Sequence, residues 1–129
     1  MDSHLITISA EPSFVPQQSE PTKARFVFFY TITITNNSSA TCQLMSRHWI
    51  IKDANHKLEE VYGEGVIGEQ PILEPGASYQ YSSGAVLKTE MGTMEGRYFM
   101  LWVNPISGNS QEFEVPIPKF ILSVPRTLH

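Results

Sequence analysis

The residues most suggestive of chemistry are the glycines of the run GEGVIG at residues 63–68, whose spacing matches the G-x-G-x-x-G fingerprint of dinucleotide-binding proteins. In that fingerprint a helix begins directly after the glycines, because its N-terminal amides and dipole hold the pyrophosphate. Here Pro71 and Pro75 follow Gly68 closely, so no helix can begin and continue there. The run also lacks the Gly-Lys-Ser/Thr ending of a P-loop. We therefore predict that it forms an irregular corner with positive φ angles and does not cradle a dinucleotide.

Two weaker binding chemistries remain open around this run. Successive loop amides can form an anion nest without a helix, and Arg47 can add a positive charge to it. Four nearby glutamates can offer oxygens to a divalent cation: Glu59, Glu60, Glu64 and Glu69. Solvated loop charges are the simpler interpretation of these residues. The candidate binding surface is a basic pair together with the glycines and their polar neighbours: Arg47, His48, Gly63, Glu64, Gly65, Gly68, Glu69 and Gln70.

No part of the sequence groups the residues of a catalytic or metal site. The four histidines lie far apart, and none has the short spacing typical of zinc ligands. No nucleophile with a neighbouring base can be recognised. Cys42, the only cysteine, excludes an internal disulfide, fits a reducing compartment and is predicted to be a small buried hydrophobic residue. We expect no catalytic residue, no metal and no cofactor.

Composition and charge argue against several classes of protein. The net charge of −4 and the pI near 5.5 provide no basic stripe for nucleic acid. The longest apolar runs have five residues, whereas a membrane-spanning helix needs roughly 20, so no membrane insertion is expected. The first residues lack the basic and apolar regions of a secretory signal, and a cytoplasmic location is expected. A chain of 129 residues suits a single domain over residues 1–129.

Alternating apolar and polar residues predict an all-β fold. The strongest signal lies at residues 25–35, where one face carries Phe26, Phe28, Tyr30, Ile32 and Ile34. About seven short strands separated by turn signals are typical of an immunoglobulin-like or fibronectin type III-like β-sandwich, and a small barrel is the alternative. Val27 and Phe29 lie on the polar face and need a cover, either the N-terminal segment or a partner subunit. The oligomeric state, monomer or dimer, stays open.

Glycines and prolines predict where the strands end. Residues 11–21 contain three prolines and are expected to form a loop, as are the residues from Gly84 to Gly96. Pro116 and Pro118 remove two successive amide donors from one side of the last strand. That strand is therefore predicted to lie at the edge of a sheet.

Two local irregularities are expected near the middle of the chain. The alternation of the strand at residues 44–53 fails around Arg47, which indicates either a bulge near residues 46–48 or an Arg47 side chain that lies along Trp49. Both alternatives place Trp49 in the core. In the hairpin loop that follows, Asn55 is expected to take the left-handed conformation.

Several separated motifs, in order over nearly the whole chain, resemble the ApaG family: SRHW at residues 46–49, GEGVIGEQP at 63–71, PG at 75–76, YSSG at 81–84, GTMEGRY at 92–98 and IPKF at 117–120. The resemblance implies a fibronectin-like sandwich. His56 is a departure, because many relatives carry glycine there, and it puts only the tightness of the hairpin in question.

What the resemblance implies about function is limited. Bacterial members are cytoplasmic proteins linked to cobalt and magnesium efflux or resistance, and their gene often lies near that of a diadenosine tetraphosphate hydrolase. Eukaryotic relatives carry a similar domain on an F-box protein and on a DNA-polymerase-interacting protein, which implies partner recognition. No catalytic residue is established for the family, so none is carried over.

Three functions can be ranked from these observations. The first is a non-catalytic interaction domain whose end loops contact a protein partner, through which any effect on metal efflux must pass. The alternative is a small-ligand sensor that binds a divalent metal or a nucleotide polyphosphate through the glycine-rich loop. An enzyme, most simply a hydrolase, ranks third because no nucleophile and base pair is identified.

Overall fold

The structure, a computed structural model, describes residues 5–104 and 106–125. Its strands are β1 (Ile6–Phe14), β2 (Phe26–Asn36), β3 (Thr41–Asp53), β4 (Leu58–Glu64), β5 (Ile72–Leu73), β6 (Ser78–Leu87), β7 (Met91–Val103) and β8 (Ser110–Ser123). Two single-turn 3-10 helices, Pro16–Gln18 and Pro21–Lys23, follow β1. Within the described ranges, no helix has the length and apolar character needed to cross a membrane.

The strands form two antiparallel sheets. One sheet has the order β1, β2, β6, and the other has the order β4, β3, β7, β8. The two-residue β5 pairs with the same edge of β3 as β4 does, further along that strand. The predicted all-β sandwich of the immunoglobulin-like or fibronectin type III-like kind is confirmed, with β5 as a short addition to the seven expected strands.

The core lies between the sheets and is built from alternating apolar side chains. On β2, Phe28, Ile32 and Ile34 are at most 1% exposed, which confirms the predicted face of that strand. Trp49 of β3 contributes to the same core, as both alternatives for this strand required. Cys42 is fully buried, and burial raises the pKa of its thiol to about 11. The prediction of a buried hydrophobic cysteine is confirmed.

The apolar residues on the outer face of β2 are only partly covered. The segment after β1 crosses Val27, whose amide donates to Ser19 Oγ at 2.9 Å and whose carbonyl accepts from the Val15 amide at 2.8 Å. Val27 is buried by this segment, as expected. Phe29 remains 42% exposed within the chain, so the N-terminal segment does not cover it, and cover by a partner subunit stays a prediction.

Two predicted loops contain strand residues, at the start of the first and over most of the second. β1 continues through Pro12, because an edge strand tolerates proline where the missing donor faces away from the sheet. β6 continues through Gly84, and β7 already includes Gly92 and Gly96. At Gly96 the backbone of β3 approaches so closely that an added Cβ would overlap the His48 carbonyl oxygen. Gly92 and Gly96 permit close strand contact, Gly84 would bring a Cβ only into ordinary contact with β2, and none of the three ends a strand.

The hairpin between β3 and β4 reverses one residue later than expected. His56 has a φ of 64°, whereas Asn55 is not among the residues with positive φ. The Asp53 carboxylate accepts hydrogen bonds from the amides of Asn55 and Lys57, which fixes the turn before and after His56. The prediction for Asn55 was wrong, and a glycine at position 56 would adopt this positive φ without the strain that a side chain adds.

Candidate functional site

The glycine corner, defined here as residues 63–71, connects β4 to β5 and lies against a β-bulge in β3. The register between β3 and β7 shifts at Met45. The Met45 carbonyl accepts hydrogen bonds from the Gly65 amide at 2.8 Å and from the Gln70 side-chain amide at 3.0 Å. The bulge is therefore confirmed, one residue earlier than expected, and it anchors both ends of the corner.

A tight reversal forms the tip of the corner. Val66 and Glu69 exchange backbone hydrogen bonds of 2.8 and 2.9 Å. The two residues between them have positive φ, 50° at Ile67 and 76° at Gly68, which is the signature of a type I′ turn. A short strand follows in place of the helix that a dinucleotide fingerprint requires. The prediction of a corner with positive φ angles is confirmed.

Gly65 is required by the path of the corner. Its φ is 60°, and an added Cβ would overlap the carbonyl oxygen of Glu69. Gly68 has a similar φ of 76°, but no atom lies within 4 Å of the position that its Cβ would take. The first glycine is therefore needed for space and conformation, the second for conformation alone.

Arg47 holds the start of the corner from the interior side of β3. Its Nη1 donates to the carbonyl oxygens of Glu64 at 3.1 Å and Gly65 at 2.7 Å. The guanidinium lies over Gly63, where an added Cβ would stand 2.6 to 2.7 Å from its atoms. Within residues 5–104 and 106–125, no carboxylate forms an ion pair with Arg47. The side chain therefore joins β3 to the corner through main-chain acceptors.

The charge of Arg47 acts on the hydroxyl groups of three buried tyrosines: Tyr30, Tyr81 and Tyr98. The hydroxyl groups of Tyr81 and Tyr98 share a hydrogen bond of 2.5 Å. Burial raises the pKa of both hydroxyls and that of Tyr30, while the Arg47 charge lowers them by a smaller amount. These tyrosines stay protonated and hydrogen-bonded at neutral pH. Sequence reasoning missed the cluster, because only the pairing of the strands brings the three positions together.

His48 does not share a surface with Arg47. Successive residues of a strand point to opposite faces, and His48 lies on the outer face, stacked on Tyr62 with ring centroids 4.1 Å apart. Its Nε2 is buried, lies 3.5 Å from a carboxylate oxygen of Glu60, and has no hydrogen-bond partner in the described part of the chain. The candidate surface is thus divided: Arg47 joins the glycines, and His48 belongs to the neighbouring sheet face.

The corner offers few free groups to a small anion or a cation. The amides of Gly65, Val66 and Glu69 already donate to backbone carbonyls, so the run of free amides that a nest needs is interrupted. Among the described residues, no group of three or more His, Cys, Asp and Glu side chains is placed to hold a metal ion. Glu64 and Glu69 are exposed.

Exposed apolar side chains surround the corner. Ile67, at the tip, is 59% exposed, Tyr62 on β4 is 67% exposed, and Ile72 on β5 is 64% exposed. All three belong to the segment that lines one edge of β3. Sequence reasoning did not include them in the candidate surface. The available signal was an isoleucine at a turn position that usually carries asparagine.

These features define a fibronectin type III-like β-sandwich with an apolar-tipped loop that hydrogen bonds anchor to one sheet edge. Residues 16–102 match the family model described as the ApaG domain. The chain belongs to the ApaG family, as its motifs indicated.

Relatives from several bacteria match almost end to end. The chain is 48% identical over 124 residues to Protein ApaG of Bordetella pertussis, covering 96% of this chain and 91% of that protein. It is 46% identical over 128 residues to Protein ApaG of Dechloromonas aromatica, covering 99% and 97%. The crystal structure of the putative ApaA protein from Bordetella pertussis superposes with a TM-score of 0.86 at 46% identity over 95% of each chain. These matches support the same fold and family throughout.

Proposed function

We propose that the chain is a non-catalytic, cytoplasmic interaction protein that works as one ApaG domain and contacts a protein partner through the glycine corner. Through that partner it acts on cobalt and magnesium homeostasis, the role that its resemblance to ApaG proteins implies. The contact surface comprises the tip of the corner and its neighbours: Ile67, Ile72 and Tyr62. Arg47 and the bulge at Met45 hold the corner in place, and Tyr62 stacks on His48.

The conformation of Ile67 is the observation that carries this proposal. A β-branched residue with φ of 50° is unfavourable by roughly 1 to 2 kcal/mol, and asparagine would suit the first central position of a type I′ turn better. The side chain is 59% exposed, so burial returns little of this free energy. A residue that the fold does not favour, at an exposed tip, is expected where its side chain makes a contact.

The anchoring of the corner supports the same proposal. Arg47 and Met45 bind it at both ends, and the Leu44 amide donates to the Pro71 carbonyl at 3.0 Å. A loop that is already ordered loses little conformational entropy when it binds. Loops presented by a rigid scaffold are the usual carriers of binding.

The test compares two exposed isoleucines. Ile67→Asn removes the apolar tip and suits the turn, whereas Ile121→Asn removes an apolar side chain of similar exposure on β8. We expect the first variant to lose a protein partner captured from native lysate and to fail to restore cobalt tolerance in a strain that lacks its own ApaG protein. The second should retain both. Equal behaviour of the two variants would contradict a contact at the corner.

The ligand-sensor alternative is checked in the same preparation. A small ligand that binds only the folded chain adds roughly 2.7 kcal/mol of stability at a hundred times its dissociation constant. Magnesium, cobalt, nucleotides and dinucleoside polyphosphates are therefore added in turn while the melting temperature is measured. A shift that Ile67→Asn preserves and Arg47→Met abolishes would favour the sensor over the interaction domain.

A further inference from the structure

Three of the four outer edges of the two sheets carry features that oppose strand addition. β1 contains Pro12, and β8 contains Pro116 and Pro118. β4 carries three glutamates within seven residues, and β5 beside it has only two residues. Prolines, charges and short strands are the usual means by which proteins prevent sheet edges from pairing with other chains.

The fourth edge, β6, carries none of these features. Its ten residues include no proline and no charged side chain, and it pairs only with β2 among the described residues. Its outer face presents small or polar side chains, such as Gln80 and Ser82, and the 47% exposed Val86. The main-chain groups of alternate residues along its free side are therefore available to another strand.

We propose that β6 pairs with β6 of a second copy of this chain, antiparallel about a two-fold axis at Ser83. The two three-stranded sheets would then form one continuous sheet. The proposal concerns a different sheet from the glycine corner and does not depend on the function proposed for that corner.

The side chains of β6 are complementary to themselves in this register. On the inner face, Tyr81 would lie opposite Ala85 of the second copy, and Tyr79 opposite Leu87, so each large ring meets a smaller side chain. On the outer face Gln80 would lie opposite Val86. Because the strand is uncharged, self-pairing brings no like charges together, and a charged partner strand would find no counter-charge here.

Sedimentation of the purified full chain over a range of concentrations tests the proposal. The wild-type mass should rise from 14.5 kDa toward twice that value as the concentration approaches roughly 1 mM. The double variant Gln80→Lys with Val86→Lys places lysine opposite lysine at both symmetric positions and should weaken association by about tenfold or more. Gln80→Lys with Val86→Glu places opposite charges there and should restore it. Both positions are exposed, and the melting temperature of each variant confirms that it is folded.

Three results would overturn the proposal. The first is a wild-type chain that stays monomeric throughout the range. This result overturns the proposal even if β6 captures a different protein that the lysine pair releases. The second is a dimer that the lysine pair does not weaken, because the interface then lies elsewhere. The third is weakening that the Lys and Glu pair does not reverse, because the two-fold axis then does not lie at Ser83.

Discussion

Replacing each of two corner glycines by alanine distinguishes the cost of a positive φ from the cost of steric overlap. At Gly68 the added Cβ meets no atom within 4 Å, so the substitution changes only the preference for a φ of 76°. At Gly65 the φ is 60°, and the Cβ also overlaps the Glu69 carbonyl oxygen. The two positions are three residues apart in the sequence and have similar positive φ angles, which makes Gly68→Ala the matched control for Gly65→Ala.

The structure gives the expected size of each effect. A left-handed alanine in place of glycine destabilises by about 1 kcal/mol at Gly68. At Gly65 the overlap must also be relieved by opening the Val66 and Glu69 backbone pair, whose two hydrogen bonds contribute about 1 kcal/mol each. The expected total is therefore about 3 kcal/mol for Gly65→Ala. At roughly 4 °C per kcal/mol for a chain of this size, the melting temperatures should fall by about 12 °C and about 4 °C.

Urea unfolding followed by circular dichroism and tryptophan fluorescence measures both values. The slope of free energy against urea should stay constant, since neither change alters the surface exposed on unfolding. The reasoning would be refuted if Gly65→Ala destabilised the chain no more than Gly68→Ala does. In that case the corner would adapt to a side chain at position 65, and its rigidity would not be available to binding.

Three further substitutions test single features of the structure. Ile67→Asn should raise the free energy of unfolding by about 1 kcal/mol, because asparagine tolerates positive φ better than a β-branched residue, and a fall in stability would contradict the strain assigned to Ile67. His56→Gly should raise the free energy of unfolding by about 1 kcal/mol in urea, because His56 has a φ of 64° that glycine adopts more easily. No gain would mean that the hydrogen bonds to Asp53 already offset the cost of this φ. Burial raises the pKa of Cys42 from 9.0 to about 11, so the folded state holds the thiol proton more tightly; this contribution is present below pH 9 and is lost as the pH rises toward 11. Urea midpoints between pH 8 and pH 11 should therefore fall more steeply for the wild type than for Cys42→Ala, and parallel curves would contradict the assignment.

The strands with strong alternation were predictable from the sequence because one face of each must be buried. The buried face of β2, the position of Trp49 in the core and the edge position of β8 all follow from periodicity or from prolines. Glycine was less informative: the same residue type ends a strand at one position and permits close strand contact at another. Gly92 and Gly96 were assigned to a loop because close approach of a neighbouring backbone leaves no sign in the local sequence.

The conformation of the glycine corner was predictable, but the arrangement of the residues around it was not. The prolines after Gly68 correctly indicated a corner in place of a nucleotide-binding helix. Arg47 and His48 lie on opposite faces because strand alternation continues unbroken after the bulge, which precedes both residues. The position of the bulge at Met45 could not be read from the sequence. The contact between Arg47 and Gly63 depends on the register of β3 with β4, which no local pattern specifies.

The most direct test of the central claim is a photo-cross-linking amino acid placed at position 67 or at position 121 of the full chain in living cells. If the tip of the glycine corner meets a protein partner, irradiation should yield a discrete cross-linked product from position 67 and none from the equally exposed position 121 on β8. No product from position 67, or the same product from both positions, would contradict it.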